Sequence, residues 1–121
     1  ITTDDNEFMV VPDLKTCKPG GASREEFMDT IANFGYYRQA AYYKDLFGAS
    51  FFLFIAVEKE APFSVACYWA DHDMLVAGRR ENERDLARIA ECEKTGIWPG
   101  YPTGISEIKL PPWKLKQLQF A

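Results

Sequence analysis

Residues 51–57 read Phe-Phe-Leu-Phe-Ile-Ala-Val, an unbroken apolar run rich in aromatic and β-branched side chains. Gly48 lies just before it and the charged Glu58-Lys59-Glu60 follows. The run is far too short for a membrane span, and its composition favours a strand. Side chains of a strand alternate between its two faces, so a strand apolar at every position is expected to be buried on both. That places it inside a sheet with helices packed against it.

The flanking segments fit the same frame. After a turn over residues 58–62, Phe63 to Trp69 reads as a second strand, antiparallel to the first. Phe8 to Lys15 reads as the return arm of a hairpin whose first arm is Ile1-Thr2-Thr3 and whose turn is Asp4-Asp5-Asn6-Glu7. Pro12 inside this arm has no N–H for a ladder, which favours an edge strand or a bulge. Ser23 with Glu26 three residues on forms a capping box, and Phe27, Ile31 and Phe34 recur at helical spacing behind it. Gly35 breaks this helix, and a second runs from about Tyr36 to Phe47, closed by Gly48. Asp71 opens a long helix reaching about Lys94, with Leu75, Leu86, Ile89 and Ala90 as its buried stripe. The spacings Glu81–Arg84, Asp85–Arg88 and Arg88–Glu91 suit an exposed helix surface. Glu107 to Leu110 is expected as a short last strand. The expected class is α/β, a central mixed β-sheet flanked by helices.

Composition sets outer bounds. With 47% hydrophobic and 15% aromatic residues among 121, the chain can build a real core and is one domain or part of one. A net charge of −4 argues against a general basic coat for nucleic acid and leaves room for a local basic channel. No membrane partner is expected. Cys17, Cys67 and Cys92 show neither a disulfide framework nor a zinc spacing, so free thiols in a reducing, cytoplasmic setting are expected. His72 has no second His or Cys nearby and reads as a helix-start or surface residue.

Chemistry enters with Val10-Val11-Pro12-Asp13-Leu14-Lys15-Thr16. Strand alternation puts Asp13 and Lys15 on one face and Leu14 on the other. A carboxylate beside an ammonium suits metal-assisted phosphodiester hydrolysis, the acid holding a divalent cation and the lysine steadying developing negative charge. Acid-x-lysine arises by chance about once in a chain of this size, and Glu107-Ile108-Lys109 is a second match. Context separates the two. Lys15 is followed by a helix carrying Gln39 and Tyr43, four apart and so on one face. Two readings of that face stay open. An amide and a phenol meet a metal–phosphate site, or a Tyr-rich helix packs its rings on the sheet with Gln39 simply exposed.

Three linked segments resemble a known group. They are the Asp13-Leu14-Lys15-Thr16 strand end, the Gly35-Tyr36 … Gln39-Ala40-Ala41 … Tyr43 helix, and the Phe54-to-Glu60 strand with Pro62 after it. In that order they resemble the PD-(D/E)XK nuclease superfamily, and within it the exonuclease VIII (RecE-like) branch of phage-type recombination exonucleases. Glu91-Cys92, Gly96 to Tyr101 and Leu110 to Trp113 resemble that branch's C-terminal end. The resemblance implies a restriction-endonuclease-like core. It also implies a metal-dependent exonuclease that degrades linear double-stranded DNA 5′ to 3′, leaving 3′ single strands for recombination. Asp13 corresponds to the second acid and binds Mg²⁺ (or Mn²⁺), with the backbone carbonyl of Leu14 as a further ligand. Lys15 corresponds to the catalytic lysine. Gln39 and Tyr43 correspond to the helix motif that supports the site and contacts the scissile strand, and Thr16 is placed to reach a phosphate.

The family's first metal-binding acid stands in a Pro-Asp context that has no counterpart here. Hairpin geometry puts it just before Ile1, and Asp4 and Asp5 fall in the turn. Residues 1–121 are therefore read as the C-terminal portion of a single nuclease domain, completed by an upstream half of the same polypeptide. The partners implied are double-stranded DNA ends, further copies in a homo-oligomeric ring, and a single-strand annealing protein. The alternatives are a non-catalytic DNA-end-binding or assembly module of the same fold, another nuclease of the superfamily, and an unrelated α/β interaction domain.

Overall fold

Pro12 cannot donate to a neighbouring strand, and the strand that carries it, β1 (Val10–Cys17), lies at one edge of the sheet among the described residues. Its pairing runs without a bulge from Val10↔Phe51 to Cys17↔Glu58, so Pro12 is accommodated by position alone. The computed structural model describes residues 8–119. The expected hairpin arm and turn at residues 1–7 lie outside them.

β1 runs parallel to β2 (Phe51–Glu58), and β2 runs antiparallel to β3 (Val65–Trp69), giving a mixed sheet of order β1-β2-β3. Parallel neighbours require a crossover, supplied by α1 (Arg24–Phe34) and α2 (Tyr36–Phe47). The Ser23 hydroxyl caps α1 by accepting from the Glu26 N–H at 3.4 Å. The Glu26 carboxylate lies 3.9 Å from the Lys18 ammonium. Gly35, at φ 69°, ends α1 and starts α2, a left-handed conformation that glycine takes without strain. α3 (His72–Thr95) begins with His72, and the Asp71 carboxylate accepts from the Met74 N–H at 2.8 Å. α4 (Pro112–Gln119) follows an irregular stretch. The fold class is therefore the α/β class expected.

The chain divides into two compact units, Ile1–Ala90 and Glu91–Ala121. In the first, Phe27, Phe52 and Phe54 are fully buried, with Ile31, Ala40, Ala41, Ala56 and Leu75 around them. Phe27 meets Phe54 edge-on at 5.7 Å and stacks on Tyr68 at 5.8 Å. The Tyr68 hydroxyl donates to the Ala22 carbonyl at 2.6 Å, which satisfies its polar end. Gly78 is where α3 passes α2: a Cβ there would collide with the Tyr37 carbonyl.

Several expectations are corrected. β2 is buried on one face only: Phe52, Phe54 and Ala56 are inaccessible, whereas Phe51 is exposed and Leu53, Ile55 and Val57 are half-buried. Neither α1 nor α2 is stacked on that second face, and strand sequence alone cannot reveal whether a layer is. β3 is shorter than expected, because Phe63 takes φ 58° and donates its N–H to the Glu60 carbonyl, which carries the turn further. In α3 the buried positions are Leu75 and Gly78, while Leu86 and Ile89 are exposed. Glu81 meets Arg38 of α2 at 3.5 Å, and Asp85 meets it at 3.8 Å, so these charges serve helix–helix contact. In the second unit, residues 107–110 form no strand. A lone segment has no ladder partner, and Ile108 is 94% exposed. Gly96 closes α3 there, donating to the Cys92 carbonyl at 2.9 Å.

Candidate active site

Register fixes which side chains share a face. Asp13 pairs with Phe54 and Lys15 with Ala56, so both stand on the face of the sheet that α1 and α2 cover. An edge strand can carry charges there because its rim keeps contact with water. The Asp13 and Lys15 side chains are 19% and 16% exposed, drier than surface charges and wetter than the core.

The Lys15 ammonium is held from three sides. Asp13 Oδ2 lies 3.0 Å away, the Gln39 Oε1 amide oxygen accepts from Nζ at 2.6 Å, and the Tyr36 ring centroid is 4.4 Å off. An ammonium can only donate, so Gln39 must turn its oxygen to Lys15 and its nitrogen outward. That Nε2 donates to the Tyr43 hydroxyl at 3.5 Å, one helical turn along α2. The aromatic face under Nζ adds the attraction of a ring quadrupole for a cation. The Tyr-rich helix is thus both a packing surface and part of the polar cluster.

Asp13 Oδ2 is the one buried side-chain polar atom without a hydrogen-bond partner among the described residues. It sits beside Nζ, but the ammonium is not aligned to bond to it. Oδ2 is ion-paired with Nζ at 3.0 Å, and a sheltered carboxylate so placed still has lone pairs to offer a divalent cation. The residues present therefore fit a hard cation at one corner. No group of three His, Cys, Asp or Glu side chains gathers among the described residues, so they do not by themselves complete a metal site around Asp13.

Asp13, Lys15, Gln39 and Tyr43, all named from sequence, come together. Leu14 turns its side chain to the opposite face, 63% exposed, so only its backbone could take part. Thr16 is exposed and lies on the Leu14 side by alternation, yet it lines a groove that also includes Tyr36 and Lys18. Tyr36 was missed by sequence reasoning. Its signal was present: it stands three residues before Gln39, on the same helical face. Cys17, next on this face of β1, is no candidate nucleophile. Burial pushes its thiol up and the Glu58 carboxylate pushes it further, against Lys59, so it stays protonated. Glu107 and Lys109, the second acid-x-lysine match, lie in irregular chain of the second unit.

Comparison with known proteins agrees with this geometry. The model of a family described as a PDDEXK-like domain of unknown function (DUF3799) matches residues 2–111. No curated protein matches the chain. Among the described residues no helix is long and apolar enough to cross a membrane.

Proposed function

The chain belongs to this PDDEXK-like family, and from that premise we propose that it is a metal-dependent exodeoxyribonuclease of the RecE-like branch. Its substrate is linear double-stranded DNA, degraded 5′ to 3′ to leave 3′ single strands for recombination. The observation that carries the reading is the Lys15 ammonium held in a sheltered corner between Asp13 Oδ2 at 3.0 Å and Gln39 Oε1 at 2.6 Å.

Asp13 would hold a Mg²⁺ or Mn²⁺ ion, with the Leu14 carbonyl and acids from outside the described residues. When bound, such an ion activates the attacking water and neutralises phosphate charge. Lys15 presents a fixed positive charge to the phosphate oxygens, where negative charge grows as the bond to phosphorus forms. Gln39 aims that ammonium, and Tyr43 fixes the amide so that its oxygen cannot rotate away. Because the lysine is anchored before substrate arrives, little reorganisation is needed during reaction. On this reading the protein acts in the cytoplasm on DNA ends, as a ring of identical copies, and hands single strands to an annealing protein.

The test is cleavage of a linear duplex by the full-length protein with Mg²⁺. Lys15→Ala and Asp13→Asn should each lower the rate by at least about a hundredfold, with unfolding temperature little changed. Wild-type rates in either variant would refute the assignment. Calorimetric titration of Mg²⁺ or Mn²⁺ separates the rival: failure to bind either ion points to a non-catalytic module that holds DNA ends.

A further inference from the structure

Gly35 does more than divide two helices. Its left-handed turn brings Phe34, the last residue of α1, against Tyr36, the first of α2, with ring centroids 5.8 Å apart and planes 23° apart. Tyr36 also lies under the Lys15 ammonium at 4.4 Å. A continuous path therefore runs from the reactive lysine, across one ring, to a second ring that is 70% exposed. Exposed large apolar side chains are common in this chain, but this one is joined to the charged site through Tyr36. It is also not an isolated surface residue, since it walls a groove of about 530 Å³.

The rest of that groove is polar. Lys18 and Lys59 line it, as do Asn33, Thr30 and the acids Glu26 and Asp29. Glu26 lies 3.9 Å from Lys18. Lysines suit backbone phosphates, while amides, hydroxyls and carboxylates read the edges of bases, a carboxylate accepting from an exocyclic amine. Two stacked rings beside such a rim have the composition of a single-strand binding surface, where a base lies flat on an aromatic side chain and its edge is hydrogen-bonded. A purely duplex-binding surface would present cations to two backbones and would need no ring.

We propose that Phe34, backed by Tyr36, is a stacking platform for one unpaired nucleobase adjoining the scissile phosphate. The proposal rests on the nuclease reading of Asp13 and Lys15. It adds that the enzyme frays the DNA end and holds one base outside the helix. Unstacking supplies the room an edge-strand lysine needs to approach a phosphate. Tyr36 then has two tasks, one as a support for the platform and one as a positioning residue for Lys15.

The experiment uses the full-length protein in EDTA, so that DNA is bound and not cut, with duplexes carrying 2-aminopurine at each of the terminal positions in turn. One position near the end should change its fluorescence on binding, because its 2-aminopurine leaves the duplex stack. Phe34→Ala and Phe34→Leu should abolish that change and weaken binding about tenfold, whereas Phe34→Trp should restore both. Leucine is the decisive variant, because it keeps the apolar bulk and removes the flat face. If Phe34→Leu binds and changes the fluorescence like the wild type, the ring serves packing against other protein and the platform is wrong. Cleavage by Lys15→Ala is measured alongside. An inactive Lys15→Ala with a wild-type-like Phe34→Leu sinks the platform alone, and an active Lys15→Ala sinks the nuclease reading beneath it.

Discussion

On one face of the sheet, Val11, Asp13 and Lys15 stand with Phe52, Phe54, Ala56 and Tyr68 beneath α1 and α2. On the other, Leu14 stands with Phe51, Leu53, Ile55, Val65 and Trp69, and neither α1 nor α2 covers them. Leu14, Val65 and Trp69 are each about 60% exposed, at 63%, 59% and 59%. By residue type the open face is the more apolar of the two, since both charges of β1 lie on the covered one. Burial here follows the neighbouring layer and not side-chain polarity. The covered face tolerates Asp13 and Lys15 because they sit on the edge strand and answer one another, with Gln39 completing the set. Apart from Thr16 and Cys67 the described strand positions of the open face are apolar, so a layer packed against it would meet it chiefly through apolar contact.

The sharpest way to break the comparison is to make matched cuts on each face. Phe54→Ala removes a fully buried ring that touches Phe27 and Phe52. It should cost about 3–5 kcal/mol, a loss readable as a large fall in unfolding midpoint. Val65→Thr on the open face should stay within about 0.5 kcal/mol. A cost above 2 kcal/mol for Val65→Thr would show that the full-length protein covers this face and that the asymmetry belongs to the described segment alone.

Next in size is the role of Gln39, which separates the polar corner of the covered face from its core. Gln39→Ala leaves Phe54 and Phe27 untouched but frees the Lys15 side chain to swing. A misplacement of about 1 Å can cost about a hundredfold in rate. Duplex cleavage should therefore fall by about that factor while the unfolding midpoint holds. A matched loss of midpoint would instead make Gln39 a packing residue. Gly78→Ala probes the same helix from behind. Its new methyl meets the Tyr37 carbonyl, so α2 and α3 must separate, at about 1–3 kcal/mol. Since α2 carries Gln39, activity should fall in step with stability in that variant. Activity unchanged at lowered stability would show that α2 does not yield as a unit.

These contrasts also explain which features the sequence exposed. Asp13, Lys15, Gln39 and Tyr43 were legible because each obeys a short period, two along a strand and four along a helix. The parallel pairing of β1 with β2 sets Asp13 and Lys15 on the covered face, and the packing of α2 on that face brings Gln39 to Lys15. Gly35 and Gly48 were legible as helix ends because glycine takes a left-handed conformation without strain, and both adopt it. The open face was not legible. An apolar strand records that a layer can pack on it, and the layer itself is a non-local fact. Leu86 and Ile89 misled for the same reason: their spacing fits a stripe, yet they stay 55% and 46% exposed. Phe63 was lost from β3 because its positive φ is set by the turn and not by its own β-propensity.

The smallest expected effect lies at the far side of α2, where Asp45 meets Arg79 of α3 through two hydrogen bonds of 2.8 and 2.7 Å. The guanidinium holds the Asp45 carboxyl below its ordinary value, and burial opposes this only partly. A carboxylate whose folded pKa is depressed contributes stability above its unfolded pKa and loses it as pH falls through the folded one. The contribution is therefore complete at neutral pH and disappears on acidification below the ordinary value of 3.8. Both side chains are more than 40% exposed, at 44% and 42%, so solvent and salt screen the pair and its worth is small. Asp45→Asn should lower the unfolding midpoint slightly at pH 7, and the deficit should shrink as pH falls below the ordinary value of 3.8. The deficit at pH 7 should shrink further in 1 M salt. Contrast this with Asp13, whose nearby cation sits in a drier corner: if Asp45→Asn cost as much as Phe54→Ala, exposure would not be what grades these interactions. The division between a screened outer pair and a sheltered inner one would then fail.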